Sequence, residues 1–236
     1  MGIALPKKKS SGSTLMTEGT IWKHILLFSI PLILGNMLQQ LYNTVDSIVV
    51  GNSLGSEALA AVGSSSSLIS LLISFSMGAA AGAGVIVSQF IGAQNEKGVH
   101  ESVHTALAIA LILGVVLTVL GVTLSPQILR WMGTPDEVMP QSVIYLRLYF
   151  AGLLFSVLYN MASGILNAVG NSKRSLLYLA IASFTNIVLD LLFIPVLKMG
   201  IAGAAIATDI SQVLSAVLCM LYLIRVDESY KVALRK

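Results

Sequence analysis

The stretch Ser183-Phe184-Thr185-Asn186-Ile187-Val188-Leu189-Asp190-Leu191-Leu192-Phe193-Ile194-Pro195 ends a long apolar run and carries a carboxylic acid inside it. Asn186 and Asp190 stand four residues apart, so a helix sets them on one face. At the centre of a bilayer an aspartate costs roughly 2.5–3.5 kcal/mol on insertion scales, and such residues usually line a water-filled path or meet a partner. An apolar run that keeps an acid therefore points to a polar site inside a membrane.

The rest of the chain has the same character. Of its 236 residues 56% are hydrophobic and 11% are charged, and the mean hydropathy is +0.86. A soluble domain carries about 25% charged residues. Six apolar runs follow one another at 21–50, 58–91, 103–124, 143–166, 176–197 and 201–224. Each is near the ~20 residues that span a bilayer as a helix. The fold class is all-α: a polytopic membrane protein of six transmembrane helices, with a polar tail over 1–20 and a charged tail or linker over 226–236. The second run, rich in glycine and alanine from Gly78 to Gly84, should leave the bilayer core near Val87 and end by Asn95. Pro126 falls in the loop after the third run. Thr134-Pro135-Asp136-Glu137 reads as a helix start, with Thr134 as N-cap and Pro135 at the first position.

Charge gives the orientation. Eleven lysines and arginines (7, 8, 9, 23, 97, 173, 174, 225, 231, 235 and 236) fall on one side of this layout, and Arg130, Arg147 and Lys198 on the other. The positive-inside rule puts both termini in the cytoplasm. The net charge of +3 is then topological, and no basic stripe or aromatic platform suggests nucleic acid. The single cysteine, Cys219, excludes an internal disulfide and a cysteine zinc site. His24, His100 and His104 fall near the cytoplasmic side, and no cofactor is implied.

On this topology Asp46, Asp190 and Asp209 each sit roughly 7–10 Å in from the outer end of their helices, so they share one depth. Structural roles, such as a hydrogen bond to a nearby serine, remain the alternative, most strongly for Asp209. The first helix adds a polar face of Asn36, Gln39, Gln40, Asn43 and Thr44, which needs protein or water beside it. Carboxylates, an amide and a hydroxyl are hard oxygen ligands suited to Na⁺ or a proton, and they attract organic cations. A site that neutralises itself with either a coupling ion or a cationic substrate has the physical basis of antiport. The Gly-x-Gly-Asp pattern of intramembrane aspartyl proteases is absent, and no enzymatic role is expected.

Several motifs, in this order, resemble the multidrug and toxic compound extrusion (MATE) transporters. They are Ile30-Pro31-Leu32-Ile33-Leu34-Gly35-Asn36, Val45-Asp46-Ser47-Ile48-Val49-Val50-Gly51, Leu59-Ala60-Ala61-Val62-Gly63, Ser88-Gln89-Phe90-Ile91-Gly92-Ala93 and Gly164-Ile165-Leu166-Asn167-Ala168-Val169-Gly170-Asn171. The likeness runs from about Met16 to Arg225 and covers the amino-terminal half of such a transporter. It implies plasma-membrane efflux of cationic amphipathic drugs driven by Na⁺ or H⁺, with substrate passing between two six-helix lobes. It also implies a cation site of Asp46, Asn186, Asp190 and Thr208 with the backbone carbonyl of Ala204, and a bend at Pro31. Asp209 lies outside the matching pattern and counts, with Asn36, Gln39, Gln40 and Asn43, as a cavity-lining candidate. The expected partners are the lipid bilayer, small organic cations, and a carboxy-terminal lobe or a second copy of the same half. The alternatives are a flippase for lipid-linked saccharides and a non-transporting half-size module.

Overall fold

A computed structural model describes residues 21–232, without the side chains of 21, 23–25, 27 and 28. The expected 1–20 tail and the last four residues lie outside the described residues. Six helices follow in order: α1 (Ile21–Leu54), α2 (Ser56–Gly92), α3 (Glu96–Trp131), α4 (Met139–Ala168), α5 (Ser172–Leu191) and α6 (Ile201–Arg225). A π-helical turn, Leu192–Val196, extends α5. Among the described residues α2 to α6, with α5 counted through its π turn, are long and apolar enough to cross a bilayer. Large apolar side chains such as Leu71, Phe75, Ile112, Phe184 and Val196 point outward. A surface so rich in them is what a lipid-facing bundle requires and a soluble domain avoids.

Several helices outrun the apolar patterns that predicted them. Hydropathy marks the part that sits in hydrocarbon, and backbone hydrogen bonding carries each helix on until a cap stops it. Helix α3 is the largest case and corrects the reading of Pro126 as a loop residue, since Pro126 lies inside the helix. The proline removes a backbone donor. Thr123 nearby bonds the Val119 carbonyl at 2.8 Å, and Ser125 bonds that of Gly121. These bonds go to carbonyls beside that of Val122, the one from which Pro126 withholds its donor.

The helix start at Thr134 is also corrected. Gly133, at φ 72°, closes α3 by donating to the Arg130 carbonyl, and the Thr134 N–H donates to that of Leu129 at 3.1 Å. Thr134 is thereby committed to ending α3. A single turn follows, in which Val138 and Met139 both donate to the Pro135 carbonyl, and α4 begins at Met139 with Pro140 in its first turn.

Helix α4 is the spine, with α2, α3 and α6 packed around it. Leu146, Leu153, Val157, Ile165 and Leu166 of α4 meet Val87, Val103, Ala110, Cys219 and Leu223 in one core. Small residues let the backbones approach. The Phe150 ring occupies the space over Gly121, and a Cβ on Gly164 would lie 2.9 Å from the Ala80 carbonyl oxygen. Helix α1 packs mainly along α5. A second core of Val49, Val50, Ala58, Ala61, Val62, Ile194, Ile201 and Ala204 closes the end of the bundle where α1 meets α2. Towards the other end a groove of about 700 Å³ opens among α1, α2 and α4, bordered by Leu32, Gly84, Gln89, Asn160 and Asn167.

The chain after α6 is folded back. The Val232 N–H donates to the Leu223 carbonyl at 2.9 Å, and Tyr230 is buried beside Tyr222. Tyr222 in turn accepts a 3.0 Å bond from Asn171 Nδ2 and lies under the Arg174 guanidinium, 4.2 Å from its ring centre.

Two outcomes follow from this packing. Gly164→Val should cost about 1–3 kcal/mol by overpacking against the Ala80 backbone, read as a lower melting temperature in detergent. Gly63→Ala, where a Cβ meets open space inside α2, should raise the melting temperature slightly, by about 0.5–1 kcal/mol of helix propensity. Tyr230→Ala should release 226–232, and tryptic cleavage after Arg225 should become faster than in the parent chain.

Candidate functional site

The site is assembled from one face of each of three helices, with α4 behind them. On α1 the positions Gly35, Gln39, Tyr42 and Asp46 recur at helical spacing and turn inward, and Gly35 meets Leu176 and Leu179 of α5. On α5 the inward positions are Ser183, Asn186 and Asp190. On α6 they are Ala204, Thr208, Ser211, Gln212 and Ser215.

Asp190 is 0% exposed, Asn186 1% and Asp46 9%. Asp46 and Asp190 interact electrostatically with each other, and both interact with Tyr42 of α1 and Tyr145 of α4. The Asn186 amide nitrogen donates to the Thr208 hydroxyl across a long 3.5 Å. Tyr42 lies beside Gln39 and Gln212. Between Tyr42, Ser183, Asn186, Thr208 and Gln212 there is a cavity of about 10 Å³. That is about the space of one water-sized sphere. Its lining is mostly polar but holds neither Asp46 nor Asp190, and its size excludes a drug.

The electrostatics are one-sided. Both carboxylate oxygens of Asp190, Oδ1 of Asp46, Oδ1 of Asn186 and Oε1 of Gln212 are buried without a hydrogen-bond partner. All five are acceptors. Among the described residues the one ion pair is Lys97–Glu101, on the exposed start of α3. No basic side chain therefore neutralises the two acids. Buried acceptors left in this way cost free energy until something supplies positive charge or a donor.

The other candidates are placed as follows. Asn36, Gln40 and Asn43 are exposed about a quarter turn around α1 from the inward positions, and Asn43 donates to Gln40 at 3.5 Å. The polar run on α1 thus splits: Gln39 turns inward and the other three turn away. Pro31 is buried within an unbroken α1. Ala204 is buried four residues before Thr208 inside α6. Asp209 is not brought to the pair. Its carboxyl lies on Gly152 of α4, and its electrostatic contact is with Tyr149. His100 and His104 stack at 4.1 Å in the first turns of α3, far along the sequence from the acids. No group of three or more metal-ligating His, Cys, Asp or Glu occurs among the described residues.

The sequence reading missed Tyr42, Ser183, Gln212 and Tyr145. The first three stand three or four residues from predicted site residues on the same helix, so periodicity held a usable signal. Tyr145 comes from a different helix and gave none.

The MatE family model matches residues 31–192, a span that holds Pro31, Asp46, Asn186 and Asp190. The chain belongs to the MatE family. MatE relatives include the probable multidrug resistance protein YpnP of Bacillus subtilis (strain 168), 37% identical over 209 residues, which cover 89% of this chain and 47% of YpnP. YoeA of the same strain, also a probable multidrug resistance protein, is 38% identical over 215 residues, 88% of this chain and 46% of YoeA. A solved outward-facing multidrug resistance MATE transporter of the MOP superfamily superposes with a TM-score of 0.90 at 32% identity, covering 97% of this chain and 51% of that one. The chain thus spans about half the length of the curated relatives it matches. MatE proteins are multi-pass membrane transporters and not enzymes, as the composition and the missing protease pattern had suggested.

Replacing an unpartnered buried acid by a shape-matched apolar residue should relieve the ion-free protein. Asp190→Leu is expected to raise its melting temperature in Na⁺-free buffer, by an effect on the order of 1–3 kcal/mol. It should also abolish any further rise on adding Na⁺ or acid. A lower melting temperature would show that Asp190 already has its partner within the fold.

Proposed function

We propose that this MatE chain forms the ion-coupled lobe of a secondary antiporter that exports cationic amphipathic drugs in exchange for Na⁺ or H⁺. The observation that carries the reading is the pair of buried acids, Asp46 and Asp190, whose oxygens Asp46 Oδ1 and Asp190 Oδ1 and Oδ2 have no hydrogen-bond partner and which no basic side chain neutralises. Asp46, Asn186, Asp190 and Thr208, with the Ala204 carbonyl, hold the coupling ion. Two carboxylates, an amide and a hydroxyl offer the hard oxygens Na⁺ prefers, and the same carboxylates accept a proton.

The small cavity and the large groove divide the work by size. The cavity, which adjoins the proposed ion ligands through Asn186 and Thr208, is too small for a drug. The groove of about 700 Å³ is of the size that accepts a drug-sized molecule. Asn36, Gln40 and Asn43 form an exposed polar stripe on a helix otherwise surrounded by apolar surface. Hydrocarbon does not tolerate such a stripe, so a second lobe, or a second copy of this one, supplies the opposite wall of a wet path. The lysine and arginine distribution sets both termini in the cytoplasm, and the assembly works in the plasma membrane.

Coupling follows from competition. With one monovalent ion bound, the acid pair carries one negative charge instead of two, and α1, α5 and α6 close on one another. Cargo charge is held when the ion leaves. Pro31 supplies the flexible point at which α1 re-aims Asp46. The lipid-linked saccharide flippase gains no support, because the pocket is acidic and no ion-paired base lies in it.

Asp46→Asn and Asp190→Asn, introduced into the complete two-lobed protein, should each reduce gradient-driven drug efflux from vesicles, on the order of tenfold. Imposing a Na⁺ gradient and then a pH gradient on the parent protein identifies the ion. Unchanged efflux in both variants would remove the assignment.

A further inference from the structure

The chain half-buries a third acid that the pocket above does not use. Asp209 lies on α6 one residue after Thr208, which turns it about 100° away around the helix, out of the Asn186 contact and into the seam with α4. There it meets Gly152, and a Cβ at that position would overlap the carboxyl itself. The glycine is therefore what admits the acid to the seam. Any larger residue on α4 would push it out.

No hydrogen bond and no ion pair to Asp209 occurs among the described residues, whose one salt bridge is Lys97–Glu101. From α4 the titratable group facing it is Tyr149, which is buried. Arg147, also on α4, is exposed and unpaired. From α1 the nearest link is Tyr42, which interacts with Tyr149. Asp46 and Asp190 interact with Tyr42 and Tyr145, whose rings lead on to Tyr149 at 6.5 Å between the centres of Tyr145 and Tyr149. Tyrosines thus stand between the two-acid pocket and the third acid, and α6 carries no other acid.

We propose that Asp209, seated on Gly152 beside Tyr149, is a second proton-binding site of this chain, separate from the Asp46–Asp190 pocket. One carboxyl with one phenol beside it cannot surround Na⁺, which takes several oxygens, so the ligand here is H⁺. An ionised carboxylate pressed onto a helix backbone, with no counter-charge, is unfavourable in the bilayer. The neutral acid fits the same space as a compact polar group with one proton to donate. The bound proton therefore holds the α4–α6 seam closed, and its loss favours opening.

The proposal needs the membrane setting but not the antiport reading, and its test does not use transport. The protein in lipid vesicles is treated at about pH 7 with dicyclohexylcarbodiimide, an apolar reagent that adds to protonated carboxyls, and label is mapped by peptide mass spectrometry. Asp209, partly accessible in its seam, is expected to carry about tenfold more label than the exposed Glu57, with the excess lost at about pH 10. Asp209→Asn, which keeps the shape over Gly152, should remove this label and leave the rest of the map unchanged. Labelling of Asp209 no greater than that of Glu57 in the parent protein overturns the proposal, and that measurement stands whether or not the variant folds. Loss of drug efflux in Asp46→Asn with Asp209 labelling intact would separate the two sites. Failure of efflux coupling altogether would leave the labelling result as it is.

Discussion

Two buried acids without a counter-charge, Asp46 and Asp190, whose oxygens Asp46 Oδ1 and Asp190 Oδ1 and Oδ2 lack a hydrogen-bond partner, are the constraint on which this bundle turns. In water such groups would cost nothing. Inside a bilayer, each acceptor left unmade costs on the order of 1–3 kcal/mol, and an uncompensated carboxylate costs more. A six-helix scaffold stabilised mainly by small-residue packing has little reason to retain that penalty. The fold thus leaves these acceptors incomplete at the junction of α1, α5 and α6, which is the ground for the ion site proposed above.

The rest of the architecture supports that strain. Helix α4 is tied to α2 and α3 through close backbone approaches at Gly164 and Gly121, which makes one side of the bundle stiff. Helix α1 is tied chiefly to α5 and departs from α2 along the groove. The element bearing Asp46 therefore has one firm partner and one open side. At the end where α1 meets α2 lies the apolar cluster around Val50, Ala61 and Ile194, four residues along the chain from Asp46 at Val50 and from Asp190 at Ile194. Two clusters with the acids at the boundary between them form an arrangement in which a shift of one helix changes access without dismantling the core.

Much of this was legible in the residues. The six spans, the absence of strands from the pattern, and the inward turn of Asn186 and Asp190 follow from length, hydropathy and helical period. The exits of the helices were less legible. Pro126 looked like a loop residue because a proline withholds a backbone donor, and the sequence does not show that α3 runs on through it to Trp131. Thr134 looked like a helix start because its N–H is taken up by the end of α3, an assignment made by backbone geometry at Gly133.

What the sequence by itself determined is therefore the solvent and the inventory: a chain this apolar must live in lipid, and the few acids it keeps must be used. Only the tertiary structure decided which of them meet. Asp46 and Asp190 come from helices far apart in the chain, and their pairing depends on α1 lying along α5. Asp209 follows Thr208 directly, yet a turn of about 100° per residue sends it to Gly152 and Tyr149 instead. Depth can be counted along a helix from its ends. Azimuth relative to a neighbouring helix is set by packing, and no count of residues contains it.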